Sequence, residues 1–306
     1  MIDSVADAEA HPTRGRAESR ESLELRALKD AQPDLAHAVD MHLELLDVQR
    51  RVQGRIPLPS FDFNSKVLAY HQAEGVPLLR FEDIPLDLTD LRLIVRQTAD
   101  ILRRYGTLDE GEFQKAQAIG RDLELVARIG AWYRATAERR AGASVGAGPG
   151  NISHSAAGVE VSDTENSTMD QLFTVAMRPF LSRCAEPLQR HPELSIWRHH
   201  YCPLCGGEPD LAVITPAAER HLICGRCTLH WNFEPLTCPY CRNSDRSRIT
   251  SFATPDGQYR VYACDACSRY LKAYDGRRTK RPVMPVVDNI ATMPLDAAAM
   301  QRGYTN

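Results

Sequence analysis

The chain has 306 residues, 43% of them hydrophobic and 25% charged, with a formal net charge of -3 at pH 7. This composition excludes a chain that is disordered throughout, and the length suits two or three domains. No run reaches the roughly 18 apolar residues that a membrane-spanning helix needs, and the N-terminus carries acidic residues where a signal peptide has a basic region. We therefore expect a cytoplasmic protein.

The first 190 residues predict an all-α domain after a disordered leader. Residues 1–21 are polar and form the leader, and the helical domain is expected over residues 22–190. Apolar side chains recur every three or four residues, which is the period of an amphipathic helix. This spacing predicts helices over residues 33–54, 65–74, 91–105 and 169–188, and one or two more over residues 113–136.

Two segments of this region lack helical periodicity. Pro77 and Pro85 keep residues 76–86 from forming a helix. Residues 141–168 are rich in Gly and Ser and predict a flexible insertion.

Strand and turn signals replace the helical pattern after residue 192. Strands are predicted at residues 211–214, 221–223, 249–253 and 259–262, with a hairpin turn at Pro255-Asp256-Gly257. The predicted fold class is therefore a multidomain α+β protein. The N-terminal all-α helical domain precedes two small rubredoxin-like or zinc-ribbon metal-binding modules, at residues 198–233 and 234–275, and a C-terminal tail at residues 276–306.

Eight of the nine cysteines form four C-x-x-C pairs. A tetrahedral metal site needs four thiolates and each pair supplies two, so the pattern predicts two ions, iron or zinc, each bound by four cysteines. In a reducing compartment, metal binding is favoured over disulfides. The candidate ligands are Cys202, Cys205, Cys224, Cys227, Cys238, Cys241, Cys264 and Cys267.

The pairs can share metals in three ways, consecutive, interleaved or nested. Consecutive pairing is favoured because a predicted hairpin separates the two halves of each site and returns the chain to its start.

The tetrapeptide Cys238-Pro-Tyr-Cys241 also matches the active site of glutaredoxins, but it lacks the strand before it and the helix after it that this redox chemistry requires. A metal-binding turn is the favoured interpretation.

Charge counting disfavours a nucleic-acid partner. Residues 199–306 contain 13 Lys and Arg against 10 Asp and Glu, a formal +3. Eight thiolates with two divalent ions bring this region to about -1. Four histidines lie near the first two pairs, His199, His200, His221 and His230. They are not needed as ligands because eight cysteines already complete two sites. The ninth cysteine, Cys184, is expected to be a buried helical residue.

The cysteine region resembles the family of formate dehydrogenase accessory proteins, FdhE. The resemblance rests on Cys202-Pro-Leu-Cys205-Gly206, on Cys224-x-x-Cys227 followed by Trp231, on Cys238-x-x-Cys241, and on Cys264-x-x-Cys267-x-x-Tyr270-Leu271-Lys272. Weaker matches are Gly75-Val-Pro77-Leu-Leu79 and Arg178-Pro-Phe-Leu181 in the helical domain.

This resemblance implies a non-catalytic accessory protein that is needed for the activity of respiratory formate dehydrogenase. It implies binding to the catalytic subunit in the cytoplasm, with metal on the eight matching cysteines; neither nucleic-acid binding nor membrane insertion is expected. Two alternatives remain, a rubredoxin-like electron carrier and a zinc-ribbon nucleic-acid-binding protein.

Overall fold

A computed structural model describes residues 18–60, 63–143, 163–189, 191–279 and 281–305. Most of the predicted leader and of the Gly/Ser-rich insertion lies outside these residues. No helix in the described segments is long and apolar enough to cross a membrane.

Seven α-helices precede the cysteine region in the described residues. Asn64 begins the third helix, where its side chain accepts hydrogen bonds from the backbone N–H groups of Lys66 and Val67. Gly75 ends the same helix with a φ of 66°, a conformation that glycine adopts without strain. The helices are α1 (Arg20–Ala31), α2 (Ala36–Gln53), α3 (Ser65–Glu74), α4 (Leu88–Arg104), α5 (Glu110–Ile119), α6 (Leu125–Ala143) and α7 (Asp163–Ala185).

A core of apolar side chains joins helices α2 to α7. Helix α4 buries one face, which carries Leu91, Ile94, Val95 and Leu102, and it packs against α2, α5 and α7. Cys184 is fully buried on α7, as the sequence predicts.

The cysteine region forms a single six-stranded sheet. The strands are β1 (Pro209–Ile214), β2 (Arg220–Cys224), β3 (His230–Asn232), β4 (Ile249–Ala253), β5 (Tyr259–Cys264) and β6 (Arg269–Asp275), and their order across the sheet is β3-β2-β1-β6-β5-β4. The predicted hairpins are β1–β2 and β4–β5, both antiparallel. The two cysteine-bearing halves are continuous because β1 pairs with β6 in parallel.

The two faces of the sheet pack against different partners. Ala212, Leu222, Trp231 and Leu271 belong to the same apolar core as the helical domain. On the opposite face, Val261, Ala263 and Tyr270 pack with Ala299. The large helical core thus continues without interruption into the cysteine-rich half of the chain.

Two further α-helices follow the sheet in the described residues, where sequence analysis assigned a tail. Helix α8 (Pro285–Ala291) packs against α1 and α2, and helix α9 (Met293–Met300) contacts β5. Asp288 on α8 is fully buried and accepts hydrogen bonds from the Tyr259 hydroxyl at 2.7 Å and from the Met284 backbone N–H at 2.6 Å. These contacts tie the last 30 or so residues to both halves of the molecule.

Candidate metal centres

The eight cysteines of the C-x-x-C pairs gather into two groups of four. The first group, which we call the first cluster, contains Cys202, Cys205, Cys224 and Cys227; the second cluster contains Cys238, Cys241, Cys264 and Cys267. Within each cluster, all four sulfur atoms lie within 4.8 Å of one another. The grouping is the consecutive pairing that the sequence favours, and either cluster could hold a metal ion.

The sulfur spacing fits a tetrahedral ion. Four sulfurs at about 2.3 Å from a central zinc ion are about 3.8 Å apart. In the first cluster, the Sγ atoms of Cys202 and Cys227 are 3.5 Å apart, as are those of Cys205 and Cys224. The corresponding distances in the second cluster, from Cys238 to Cys267 and from Cys241 to Cys264, are both 3.7 Å.

All four C-x-x-C turns share one backbone geometry. The backbone N–H of the fourth residue after the first cysteine donates to that cysteine's carbonyl, at 2.8–3.1 Å. This fourth residue has a positive φ in every turn, although only one of the four is glycine. The residues are Gly206, Thr228, Arg242 and Ser268, with φ of 67°, 60°, 63° and 56°.

This left-handed conformation costs a residue with a side chain about 1–2 kcal/mol. The chain adopts it at Thr228, Arg242 and Ser268, where the same residue closes the turn by its hydrogen bond to the first cysteine of the pair. Arg242 directly follows the third pair and takes the same left-handed conformation as Gly206 does after the first pair.

Gly207 marks a close approach of the backbone to the first cluster. Its backbone N–H donates to Cys205 Sγ at 3.4 Å, and the Arg226 N–H donates to Cys224 Sγ at the same distance. A Cβ atom on residue 207 would lie 2.6 Å from Cys224 Sγ. Only glycine leaves the space that four sulfurs and an ion require here.

The clusters differ in their access to solvent. All four cysteines of the first cluster are buried. In the second, Cys238 and Cys264 are buried, Cys267 is half-buried and Cys241 is exposed. An ion in the second cluster would therefore be reachable from solvent on one side.

Burial makes some of the thiols in each cluster hard to ionise, whereas hydrogen bonds with Cys202 and the other thiols lower the pKa of Cys205. Burial raises the pKa of Cys202 and of Cys227 well above the usual thiol value. It also raises the pKa of Cys238 to about 11. A bound cation offsets this penalty because it attracts each thiolate.

The helical domain contacts the first cluster directly. Backbone N–H groups of Leu78 and Leu79 donate to the carbonyls of Pro203 and Leu204, which lie between the first two cysteines, at 2.8 and 2.9 Å. Arg178 on α7 donates to the carbonyl of Gly225, between the next two, at 2.7 Å. These residues lie in the two helical-domain segments that show the weaker matches to the FdhE family. Those two segments therefore contact the turns of the first cluster.

The histidines near the first two pairs make other contacts. His199 Nε2 lies 2.8 Å from the carbonyl of Gln72, and burial lowers the pKa of His230 to about 4. In the described chain, none of these histidines joins a group of metal-ligating side chains.

Cys238-Pro-Tyr-Cys241 meets Cys264 and Cys267 and runs into a loop, so the helix that glutaredoxin chemistry requires does not follow it.

Sequence analysis did not predict two features of the sheet, the contacts with Asp296 and the burial of Arg220. Lys272 and Tyr270 both contact Asp296 on α9, beyond the last predicted strand. Arg220 is buried at the start of β2, beside Cys238 and Cys264. The sequence carries one weak signal for the burial of Arg220: this residue directly precedes a predicted apolar strand.

The fold and the clusters define an α+β protein with a helical domain and a sheet carrying two candidate four-cysteine metal centres. No protein-family profile matches the chain. The chain is 31% identical over 134 residues to an FdhE homologue of Haemophilus ducreyi, covering 42% of this chain and 43% of that protein. It is also 31% identical over 111 residues to FdhE of Escherichia coli, covering 35% of each protein.

The matching regions span less than half the length of these two curated relatives. A crystal structure of FdhE from Pseudomonas aeruginosa shares the fold, with a TM-score of 0.56 at 16% identity over 94% of this chain and 92% of that one. The chain is thus similar in sequence to FdhE proteins over part of its length, and it shares the fold of one of them over nearly all of it.

Proposed function

We propose that this protein is an accessory or maturation protein required for the activity of respiratory formate dehydrogenase. It binds the catalytic subunit of that enzyme in the cytoplasm and does not itself catalyse a reaction. The support is the similarity to FdhE proteins in sequence and in fold, combined with a scaffold built around two four-cysteine clusters.

In this proposal the eight cysteines are ligands of two ions, iron or zinc. Each bound ion cross-links two C-x-x-C turns, and ligation supplies folding free energy. The surrounding residues prepare the sites: the residues with positive φ close the four turns, and Gly207 keeps the space near Cys224 open. Leu78, Leu79 and Arg178 fix the first cluster against the helical domain.

The two clusters suit different tasks in this scheme. The first is enclosed by both halves of the protein, so its ion serves as a structural link between them. The second reaches the surface at Cys241, where a partner protein could approach it.

One observation favours a second candidate function, electron transfer. An exposed ligand allows electrons to pass between a redox ion and a partner, and Cys241 is exposed. Metal analysis of anaerobically purified protein separates the two candidates: zinc in the second cluster removes the electron-transfer role, whereas iron with reversible redox chemistry supports it.

The main test is genetic and biochemical. A deletion strain is complemented with the wild type, with Cys238→Ser, or with Cys184→Ala, which changes the one cysteine outside both clusters. We expect formate oxidation to fail in the deletion strain, to return with the wild type and with Cys184→Ala, and to remain low with Cys238→Ser. We also expect tagged wild-type protein to recover the catalytic subunit from extract.

Intact formate oxidation in the deletion strain, together with no recovery of the subunit, would overturn the proposal. Each variant is checked for soluble expression and for its metal content. Any loss of activity can then be assigned to the second cluster rather than to unfolding.

A further inference from the structure

Arg220 is a buried cation beside the second cluster. Only 4% of it is exposed, and it lines the same small cavity as Cys238 and Cys264. Its Nη1 donates to the carbonyl of Thr237, the residue before Cys238, at 2.8 Å.

The guanidinium has no carboxylate partner in the described part of the chain. Its other contacts are the carbonyl of Glu234 at 3.4 Å and the faces of the Phe233 and Tyr262 rings, 6.0 and 5.7 Å from the ring centres. Its Nε atom is buried without a hydrogen-bond partner. A buried charge in such surroundings is costly unless an opposite charge lies nearby.

A neighbouring arginine gives the contrast. Arg269 lines the same cavity and stacks on Tyr240 at 3.6 Å, but it pairs with Glu208 at 3.0 Å. Arg269 therefore has a carboxylate to balance its charge, and Arg220 does not.

We propose that Arg220 is the counter-charge of the metal centre in the second cluster. Four thiolates around a divalent ion carry a net charge of about -2, and around a trivalent ion about -1. This charge is the missing partner of the guanidinium. In return, the guanidinium stabilises the thiolates in the metal-binding state.

The position of Arg220 in the sheet gives this pairing a further consequence. Arg220 begins β2 and Cys224 ends it, so one short strand carries the counter-charge of the second cluster and a ligand of the first. The two halves of the sheet thus share a charged contact in addition to the β1–β6 pairing.

The inference rests on the proposed metal ligation, and its test compares three substitutions in the full chain. Arg220→Lys keeps the charge and a donor, Arg220→Gln keeps a donor without the charge, and Arg220→Met keeps only the apolar stem. Arg183→Met is the control, because Arg183 also donates to a backbone carbonyl, that of Ile56, but lies in the helical domain.

Zinc is the probe. Zinc affinity is measured by competition with a chromophoric chelator, and thiols that the chelator frees are alkylated and located by peptide mass spectrometry. We expect Arg220→Gln and Arg220→Met to weaken zinc binding at the second cluster by about 10–100-fold, with alkylation at Cys238, Cys241, Cys264 and Cys267. Arg220→Lys should recover most of the affinity, and the first cluster should keep its zinc in all variants.

Wild-type affinity in Arg220→Gln would overturn the inference, because a neutral donor would then suffice. Equal losses in Arg220→Lys and Arg220→Gln would also overturn it, since the charge would have no effect. Failure of the wild type to bind zinc at the second cluster is a different result, because it contradicts the proposed metal ligation itself.

Discussion

Lys272 Nζ lies 2.7 Å from Asp296 Oδ2, and only 6% of the lysine side chain is exposed. The Tyr270 hydroxyl donates to the other oxygen of the same carboxylate at 2.8 Å. Two residues of the Tyr270-Leu271-Lys272 segment are therefore anchored by one carboxylate on α9. The C-terminal helix is part of the support of the sheet half.

Removing this carboxylate should destabilise the protein. Asp296→Ala leaves the Lys272 ammonium buried without its partner, which costs roughly 3 kcal/mol of unfolding free energy. Urea unfolding of the metal-loaded protein measures the change. Asp83→Ala, which breaks the exposed pair with Arg80, is the matched control and should change stability by less than about 1 kcal/mol; equal effects of the two substitutions would contradict the role assigned to Asp296.

A chelator should remove metal from the second cluster before the first. Cys241 is exposed, whereas all four cysteines of the first cluster are buried and covered by the helical domain. Limited chelation followed by alkylation and peptide mapping should label Cys241 and Cys267 first. Simultaneous labelling of both clusters would show that the burial difference does not control metal release.

Gly207→Ala should damage the first cluster selectively. The new Cβ would lie 2.6 Å from Cys224 Sγ, so a sulfur or the backbone must move. We expect the zinc content to fall from two ions per chain toward one, measured by elemental analysis. Gly111→Ala serves as the control because its Cβ would meet only ordinary contacts in α5, the nearest at 3.4 Å; full zinc content in Gly207→Ala would refute the steric argument.

His230 should make the protein less stable in mild acid. Burial lowers its folded-state pKa to about 4, against about 6.5 in the unfolded chain. The unfolded chain then binds the proton first as the pH falls, so the stability present above about pH 6.5 is lost progressively toward pH 4. We expect a loss on the order of 2 kcal/mol between pH 7 and pH 4.5.

The comparison of His230→Gln with the wild type isolates this effect. Urea unfolding at both pH values should show a smaller loss in His230→Gln, whereas His37→Gln, at an exposed position, should behave as the wild type does. An unchanged pH dependence in His230→Gln would rule out His230 as the titrating group.

The spacing of the cysteines was enough to predict which turns meet. Each C-x-x-C pair is a local structure, and each predicted hairpin brings consecutive pairs together, so short-range geometry decides the grouping. Helix periodicity likewise predicted most of the helical domain, but the first helix (Arg20–Ala31) and the two C-terminal helices were not predicted. Helices α8 and α9 are short, and contacts with distant parts of the chain stabilise them.

The sequence by itself determined the helical region, the two hairpins and the two sets of four cysteines, because these depend on residue period and on neighbours along the chain. Only the tertiary structure decided that the two halves form one sheet, that the helical domain buries the first cluster, and that the second remains open at Cys241. It also decided that Arg220 lies beside the second cluster and that Lys272 pairs with Asp296. The physical reason is that burial and charge pairing depend on which distant residues meet, and no local pattern records those contacts.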